Sequence, residues 1–293
     1  MSTTYTTSIE AAARIESLIK DFVENSPENS MRNSSGDKAW ETPLVGFSSG
    51  ADPLYEEYKD HVGPFHYTPG EIFNLTFPEE PAAAEDLTVI SWVLPHLRAT
   101  KLDNRRERIY PSERWARARI MGEEFIVLLR KHVVAELGRA GIQAVSPPLS
   151  PHWSREESPK YGFASRWSER HAAYASGLGT FGLCDGLITP VGKAHRLGSV
   201  VARVGVPPTP RPYGHHRAYC LHFNGFDCLS CAKRCPVDAV NAEGHDKLLC
   251  QPHVRETCGA HVKEAYGFEG YGCGLCQTGT PCESGIPKSL KGR

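Results

Sequence analysis

Cys228, Cys231 and Cys235 are separated by two and then three residues, and Pro236 follows directly on the third. Thiols at this spacing share a tight turn, so neighbouring thiolates converge on separate irons of one cube. A third thiol with proline behind it ends the C-x2-C-x2-C-x3-C-P run, whose last cysteine ligates the other cluster of a pair. A helix opening at Pro236 carries Cys235 away from its neighbours, and Val237, Ala239 and Val240 suit that short helix. The chemistry expected is one-electron transfer through two 4Fe-4S clusters.

The thiol inventory agrees with two cubes. The chain has ten cysteines, nine of them from Cys220 onward, and two cubes need eight. Cys273 and Cys276 repeat the two-residue spacing, with Cys282 after five further residues and Pro281 before it rather than after it. Gly225 stands where the leading thiol of the first run is expected, and Cys220 is the nearest replacement. Crossing the runs puts one cluster on Cys220, Cys228, Cys231 and Cys282 and the other on Cys235, Cys250, Cys273 and Cys276. Cys184 and Cys258 are left over, and Cys258 can trade places with Cys250.

Two other uses of cysteine compete. Disulfides need a secreted chain, but residues 1 to 30 carry no apolar run long enough for a signal peptide. Zinc also takes paired cysteines, with His215, His216, His245, His253 and His261 near enough to complete sites. It explains neither the proline behind the third thiol nor a crossed eight-thiol set. With no export signal at its start, the chain is expected to fold in the reducing cytoplasm.

The elements that must position these thiols come from a chain of 293 residues that is 40% hydrophobic, with a formal net charge of −1. It can bury a sizeable core, has no apolar stretch of the ~20 residues that spans a bilayer, and carries no global attraction to nucleic acid. Ile9, Ala12, Ile15, Leu18, Ile19, Phe22 and Val23 fall at helical spacing, with Thr6, Thr7 or Ser8 as cap. Residues 25 to 85 are rich in Ser, Asn, Pro, Gly and Glu and are expected to form long loops with few regular elements. Leu87 to Leu94 reads as a buried strand closed by Pro95. A long helix is expected from Pro111 and Ser112 to Leu137, then strands at Ile142 to Val145 and Leu197 to Val204. Pro207, Pro208, Pro210 and Pro212 mark a linker, which places the domains at residues 1–212 and 213–293.

Arg98, Lys101, Arg105, Arg106, Arg108, Arg114, Arg117 and Arg119 form the most basic stretch. Interleaved Asp103, Glu107 and Glu113 favour a solvated face over a site for an anionic group. Ser168 can cap a helix through Tyr174, and glycines 177, 179, 182, 186 and 192 follow closely. So many glycines mean tight turns or close backbone approach. They are not a dinucleotide-binding fingerprint, because they follow a helix rather than a strand.

From Glu169 and its helix through Ser176-Gly177-Leu178-Gly179, Gly182, Leu187-Ile188-Thr189-Pro190, Gly192 and Leu197-Gly198 to the crossed cysteine runs, the chain resembles the cobalamin-dependent iron-sulfur reductases. That superfamily comprises epoxyqueuosine reductase and the reductive dehalogenases. The match covers about residues 160 to 285. It implies an α/β (α+β) architecture: a nitroreductase-like corrinoid-binding domain followed by a ferredoxin-like domain with two 4Fe-4S clusters. It further implies that the backbone around Leu187, Thr189, Leu197 and Gly198 borders the corrin, with Gly177 and Gly179 allowing close approach. The absence of an Asp-x-His-x-x-Gly motif agrees with a cobalamin whose lower base is detached.

The implied activity is reduction of cobalt to a nucleophilic state and removal of oxygen or halogen from a small organic substrate, with a protein acid supplying the proton. Phe163 occupies the place of the family's catalytic aspartate, and Leu183 the place of a dehalogenase Lys or Arg. Tyr161, Tyr174, Cys184 and Asp185 are the substitutes at hand. Electrons are expected from a donor such as ferredoxin or flavodoxin. The chain ends soon after the clusters, so tRNA is not an expected partner. The competing function is an iron-sulfur electron carrier or reductive activator of another corrinoid protein.

Overall fold

The structure, a computed structural model, describes residues 8–291. Thr6 and Thr7, two of the three candidate caps for the first helix, lie outside the described residues. In chain order the elements are α1 (Ser8–Asn25), β1 (Leu44–Ser49), α2 (Leu54–His61), α3 (Pro69–Thr76), β2 (Thr88–Pro95), α4 (Arg98–Arg106) and α5 (Glu113–Arg139). They continue with β3 (Ala144–Val145), β4 (Arg155–Ser158), β5 (Gly162–Ser165), α6 (Glu169–Ala175), β6 (Thr180–Phe181), β7 (Leu187–Ile188), β8 (His195–Ala202), α7 (Lys247–Pro252) and α8 (Cys258–Tyr266).

The frame is a mixed α and β arrangement around a four-stranded antiparallel sheet in the order β1-β2-β8-β3. All eight residues of β2 are buried, because helices cover both faces and leave no strand side for water. Ile90, Trp92 and Leu94 face a core shared with α1 and α5, where Ile15, Ile19, Phe125 and Leu129 are buried. Val89, on the opposite face, joins Tyr55, Phe73, Trp167 and Ala172 from α2, α3 and the α6 region. Helix α1 buries Ala11, Ile15, Ile19 and Val23, one per turn. Ser112 caps α5 by accepting from the Trp115 amide.

Residues 25 to 85 are more regular than their composition predicts, containing β1, α2 and α3. Strand β1 pairs along its whole length with β2, a long-range partner that outweighs its Gly and Ser content. Helix α3 starts on a capping box in which Thr68 and Glu71 satisfy each other's amides, with Pro69 next. The short helix expected after Pro236 does not form. Asp238 takes a φ of 52°, which breaks the helical path, and Val240 instead bridges His245.

The basic stretch is an ion-paired face. Arg114 binds Asp37 and Asp103, Arg117 binds Glu113, and Arg119 binds Glu123 and the Tyr271 hydroxyl. Arg105 makes a two-pronged contact with Glu283, whose side chain is nearly inaccessible. The proline-rich segment is pinned rather than loose: Thr209 donates to the Phe47 carbonyl and Arg211 binds Asp52. Among the described residues no helix is long and apolar enough to cross a membrane.

The cysteine-rich segment packs on the end of the sheet through backbone bonds. Lys193 and Ala194 amides donate to the carbonyls of Cys282 and Glu283. Arg234 donates to the carbonyls of Asn104, Arg105, Glu107 and Leu275. Gly192, at φ 90°, lies against the Glu283 backbone so closely that any Cβ would collide with it.

Candidate functional site

A thiol-lined cavity and a much larger one meet at the β6–β7 hairpin. Gly182 donates to the Gly186 carbonyl across its turn, and Asp185 sits there at φ 56°, a left-handed conformation that aspartate tolerates. Neighbouring residues of the turn serve opposite sides. Cys184 is buried among thiols, whereas Asp185 lines a cavity of about 670 Å³.

On the thiol side, all ten cysteines are free. Cys220, Cys228, Cys231 and Cys282, the set expected for the first cluster, line one small cavity of about 20 Å³ together with Lys193 and Leu183. Cys184 lies beside Cys231 and Cys276, and Lys193 Nζ is 3.5 Å from its sulfur. Hydrogen bonds from Cys231 and Cys276, aided by the Lys193 ammonium, outweigh burial and hold the Cys184 thiol well below its ordinary pKa. The same bond to Cys184, with burial, pushes Cys231 and Cys276 up. Burial alone would discharge Lys193, but Cys184, Cys282, Cys231 and Cys276 outweigh it and keep the ammonium charged. A buried cation ringed by thiols suits an anionic metal–thiolate centre.

The second expected set is only partly assembled. Cys235 and Cys276 pack against the thiol core, and Cys273 lies beside Cys258 and His253. The ligand atoms of His253, Cys258 and Cys273 all fall within 4.8 Å of one another. Cys250 is elsewhere: it lines the large cavity, against the His245 ring.

The large cavity lies between α2, α6, the β4–β5 hairpin, the β6–β7 turn and α7. Leu248 of α7 packs over Gly162, and Lys247 Nζ stands 4.7 Å from the Tyr161 ring centre and 3.3 Å from the Phe163 carbonyl. Leu54, Val62, Phe181, Leu183 and Phe223 supply apolar wall, while Arg155, Lys160, Arg170, Lys247 and Arg255 supply cations. Its size falls within the ~300–1,000 Å³ of ordinary ligand pockets. Tyr161, Tyr174 and Asp185 all line it. Burial raises the Tyr174 phenol, which stacks on Tyr213. Asp185 Oδ2 lies 3.1 Å from His245 Nδ1, and Arg170 donates to the Asp185 carbonyl at 2.6 Å. Burial would lower the His245 pKa, but the Asp185 carboxylate and the Cys250 thiol outweigh it and raise the imidazole to about 9.

The six residues expected to border a corrin do not line this cavity. Gly177 packs on Pro210 and Gly179 on Ile188, and Thr189 closes the next turn by bonding Gly192. Leu187 is wholly buried beside Val93, and Leu197 packs against the same cluster. Gly198 lies under the Trp92 indole, where a Cβ would come within 2.5 Å. Their small or apolar character is spent on packing the frame that presents the hairpin. Glu169 is likewise a frame residue: partly buried, it accepts from Arg130 at 3.0 Å and from Ser199 at 2.5 Å, and Ser199 in turn accepts from Trp167.

Spacing did not single out Lys193, named His245 only as a histidine that could complete a zinc site, and left Cys184 over. The one signal available for Cys184 was its place beside Asp185 in a glycine-rich turn, where consecutive side chains point to opposite sides.

No protein-family model and no curated protein matches this sequence. Among solved structures, the chain is similar to epoxyqueuosine reductase with a tRNA-Tyr stem loop, at 17% identity over 95% of this chain and 68% of that one, with a TM-score of 0.47. Epoxyqueuosine reductase from Bacillus subtilis matches at 17% identity over 84% of this chain, with a TM-score of 0.45. A reductive dehalogenase structure that suggests a mechanism for B12-dependent dehalogenation matches at 14% identity over 82% of this chain, with a TM-score of 0.46. The chain spans 63% of the Bacillus reductase and 27% of the dehalogenase.

Proposed function

We propose that this protein is a reductase that carries electrons through cysteine-bound iron-sulfur clusters to a corrinoid in the large cavity, acting on a small organic molecule that loses oxygen or halogen. The observation that carries the reading is the shared wall: Gly182 and Leu183 line both the 670 Å³ cavity and the thiol-lined one. A single residue layer therefore separates the thiols from the space a ligand would fill.

The donor set fits the clusters. Cys220, Cys228, Cys231 and Cys282 would hold one, and Cys273, Cys276 and Cys235 would supply thiols to the other, all of them free and gathered in one part of the molecule. The lining suits an amphipathic group: Phe181 and Leu183 present an apolar face, and Arg155, Lys160 and Arg255 suit a phosphate-bearing tail. When bound, a corrinoid supplies a cobalt centre that accepts electrons and attacks carbon–oxygen or carbon–halogen bonds. The protein's own part is to exclude water with its aromatic wall and to hold cations near any anionic leaving group. Electrons would come from a small carrier such as ferredoxin or flavodoxin.

Anaerobic purification followed by metal analysis tests this reading. About eight irons with matching sulfide per chain are expected, and a corrinoid absorbance should remain after gel filtration with added hydroxocobalamin. Zinc in place of iron would overturn the proposal.

A further inference from the structure

Cys250 is separated from the other thiols by the way helix α7 begins. Asp246 caps α7, accepting from the amides of Leu248 and Leu249 at 2.8 and 3.1 Å. His245 is therefore the residue before the cap and Cys250 the fourth helical residue, two positions whose side chains meet across a helix start. Two apolar residues often fill them. Here the pair is imidazole and thiol. The Val240 bridge and the Asp246-to-Ala239 backbone bond fix this turn, and the Asp185 carboxylate holds the His245 ring from the hairpin side. Asp185, His245 and Cys250 all line the large cavity.

The place beside Cys273 is meanwhile filled. Cys258, at the start of α8, is fully buried with its sulfur 3.3 Å from His253 Nε2 and in contact with Cys273. The π-helical turn His253–Thr257 between α7 and α8 sends the two cysteines to different places, Cys258 inward and Cys250 to the cavity wall.

We propose that Cys258, not Cys250, ligates the second metal centre beside Cys273, and that Cys250 is a free thiol which, paired with His245 and oriented by Asp185, faces the molecule bound in the large cavity. The inference rests on the proposed iron-sulfur reading and deepens it. It gives the cavity, which Tyr174 also lines, a group with an exchangeable proton on a fixed arm. Arg170, Lys247, Arg155, Lys160, Arg217 and Arg255 also line the cavity, as does the carboxylate of Glu57.

Iron content and thiol labelling of the anaerobic, full-length protein test it. Cys250→Ala should keep the wild-type iron count, whereas Cys258→Ala should lose about half of it. In the iron-loaded wild type, iodoacetamide should modify Cys250 and spare Cys258, and His245→Gln should slow that modification several-fold without changing iron content. Loss of half the iron in Cys250→Ala, or protection of Cys250 in the loaded wild type, would overturn the inference. A wild type without iron would instead remove the functional reading on which it rests.

Discussion

The Nζ of Lys193 lies 3.5 Å from the sulfur of Cys184, and both side chains are buried. The lysine sits on the stretch leading into β8, the central strand that also carries Gly198, and its own amide donates to the Cys282 carbonyl. The sheet thus sets a fixed positive charge inside the thiol cluster. Such a charge favours any added electron.

Replacing that charge should make the nearby cluster harder to reduce. Lys193→Met is expected to shift the midpoint potential of one centre negative by roughly 60 mV for each ~1.4 kcal/mol of lost stabilisation, with iron content unchanged. Potentiometric titration followed by EPR reads this directly. An unaltered potential in a fully iron-loaded variant would show that the ammonium does not face a cluster.

Glu169 anchors α6 to β8 and α5. Removing its carboxylate leaves the buried Arg130 with only the longer contacts to Glu123 and the Leu197 carbonyl. Glu169→Ala should cost on the order of 3–5 kcal/mol, seen as a lower urea midpoint. A loss under ~1 kcal/mol would mean that the Glu123 contact to Arg130 suffices.

Acid should destabilise the fold before its carboxylates are protonated. Burial holds the imidazoles of His66 and His195 down to about 4, against ~6.5 unfolded. The unfolded chain therefore binds more protons between these values, so the stability these histidines contribute is present above pH ~6.5 and is lost as pH falls toward about 4. Each accounts for on the order of 3 kcal/mol. His66 stacks beside Trp167, so His66→Phe should keep the packing and flatten the slope of stability against pH. An unchanged slope would contradict this.

How much of this was readable from the sequence varied with the source of the order. Strand β2 and helix α5 were legible because an unbroken apolar run and a capped, periodic stretch each encode their own conformation. Strand β1 was not, since only pairing with β2 makes Leu44–Ser49 a strand. The set Cys220, Cys228, Cys231 and Cys282 followed from spacing and does line one cavity. Cys250 did not join Cys273, because a π-helical turn re-aims the chain in a way spacing cannot encode. The glycines from 177 to 198 announced close packing, and what packs there was not legible: Pro210 lies on Gly177, Ile188 on Gly179 and the Trp92 indole on Gly198.

Arg105 and Glu283 tie the cysteine-rich segment to α4. Arg105→Ala leaves a buried carboxylate still held by the Gly279 amide and Ser284. It should cost about 2–5 kcal/mol and speed limited proteolysis of residues 213–291. Cleavage at the wild-type rate would count against this role.

The central claim is that a corrinoid sits across the Gly182–Leu183 wall from reducible clusters, and EPR of the iron-loaded protein titrated anaerobically with cob(II)alamin tests it most directly. The account predicts saturation at one cobalt per chain and a cobalt signal altered when the clusters are reduced. Clusters present at full occupancy with no saturable cobalt binding would contradict it, and would leave the protein an electron carrier.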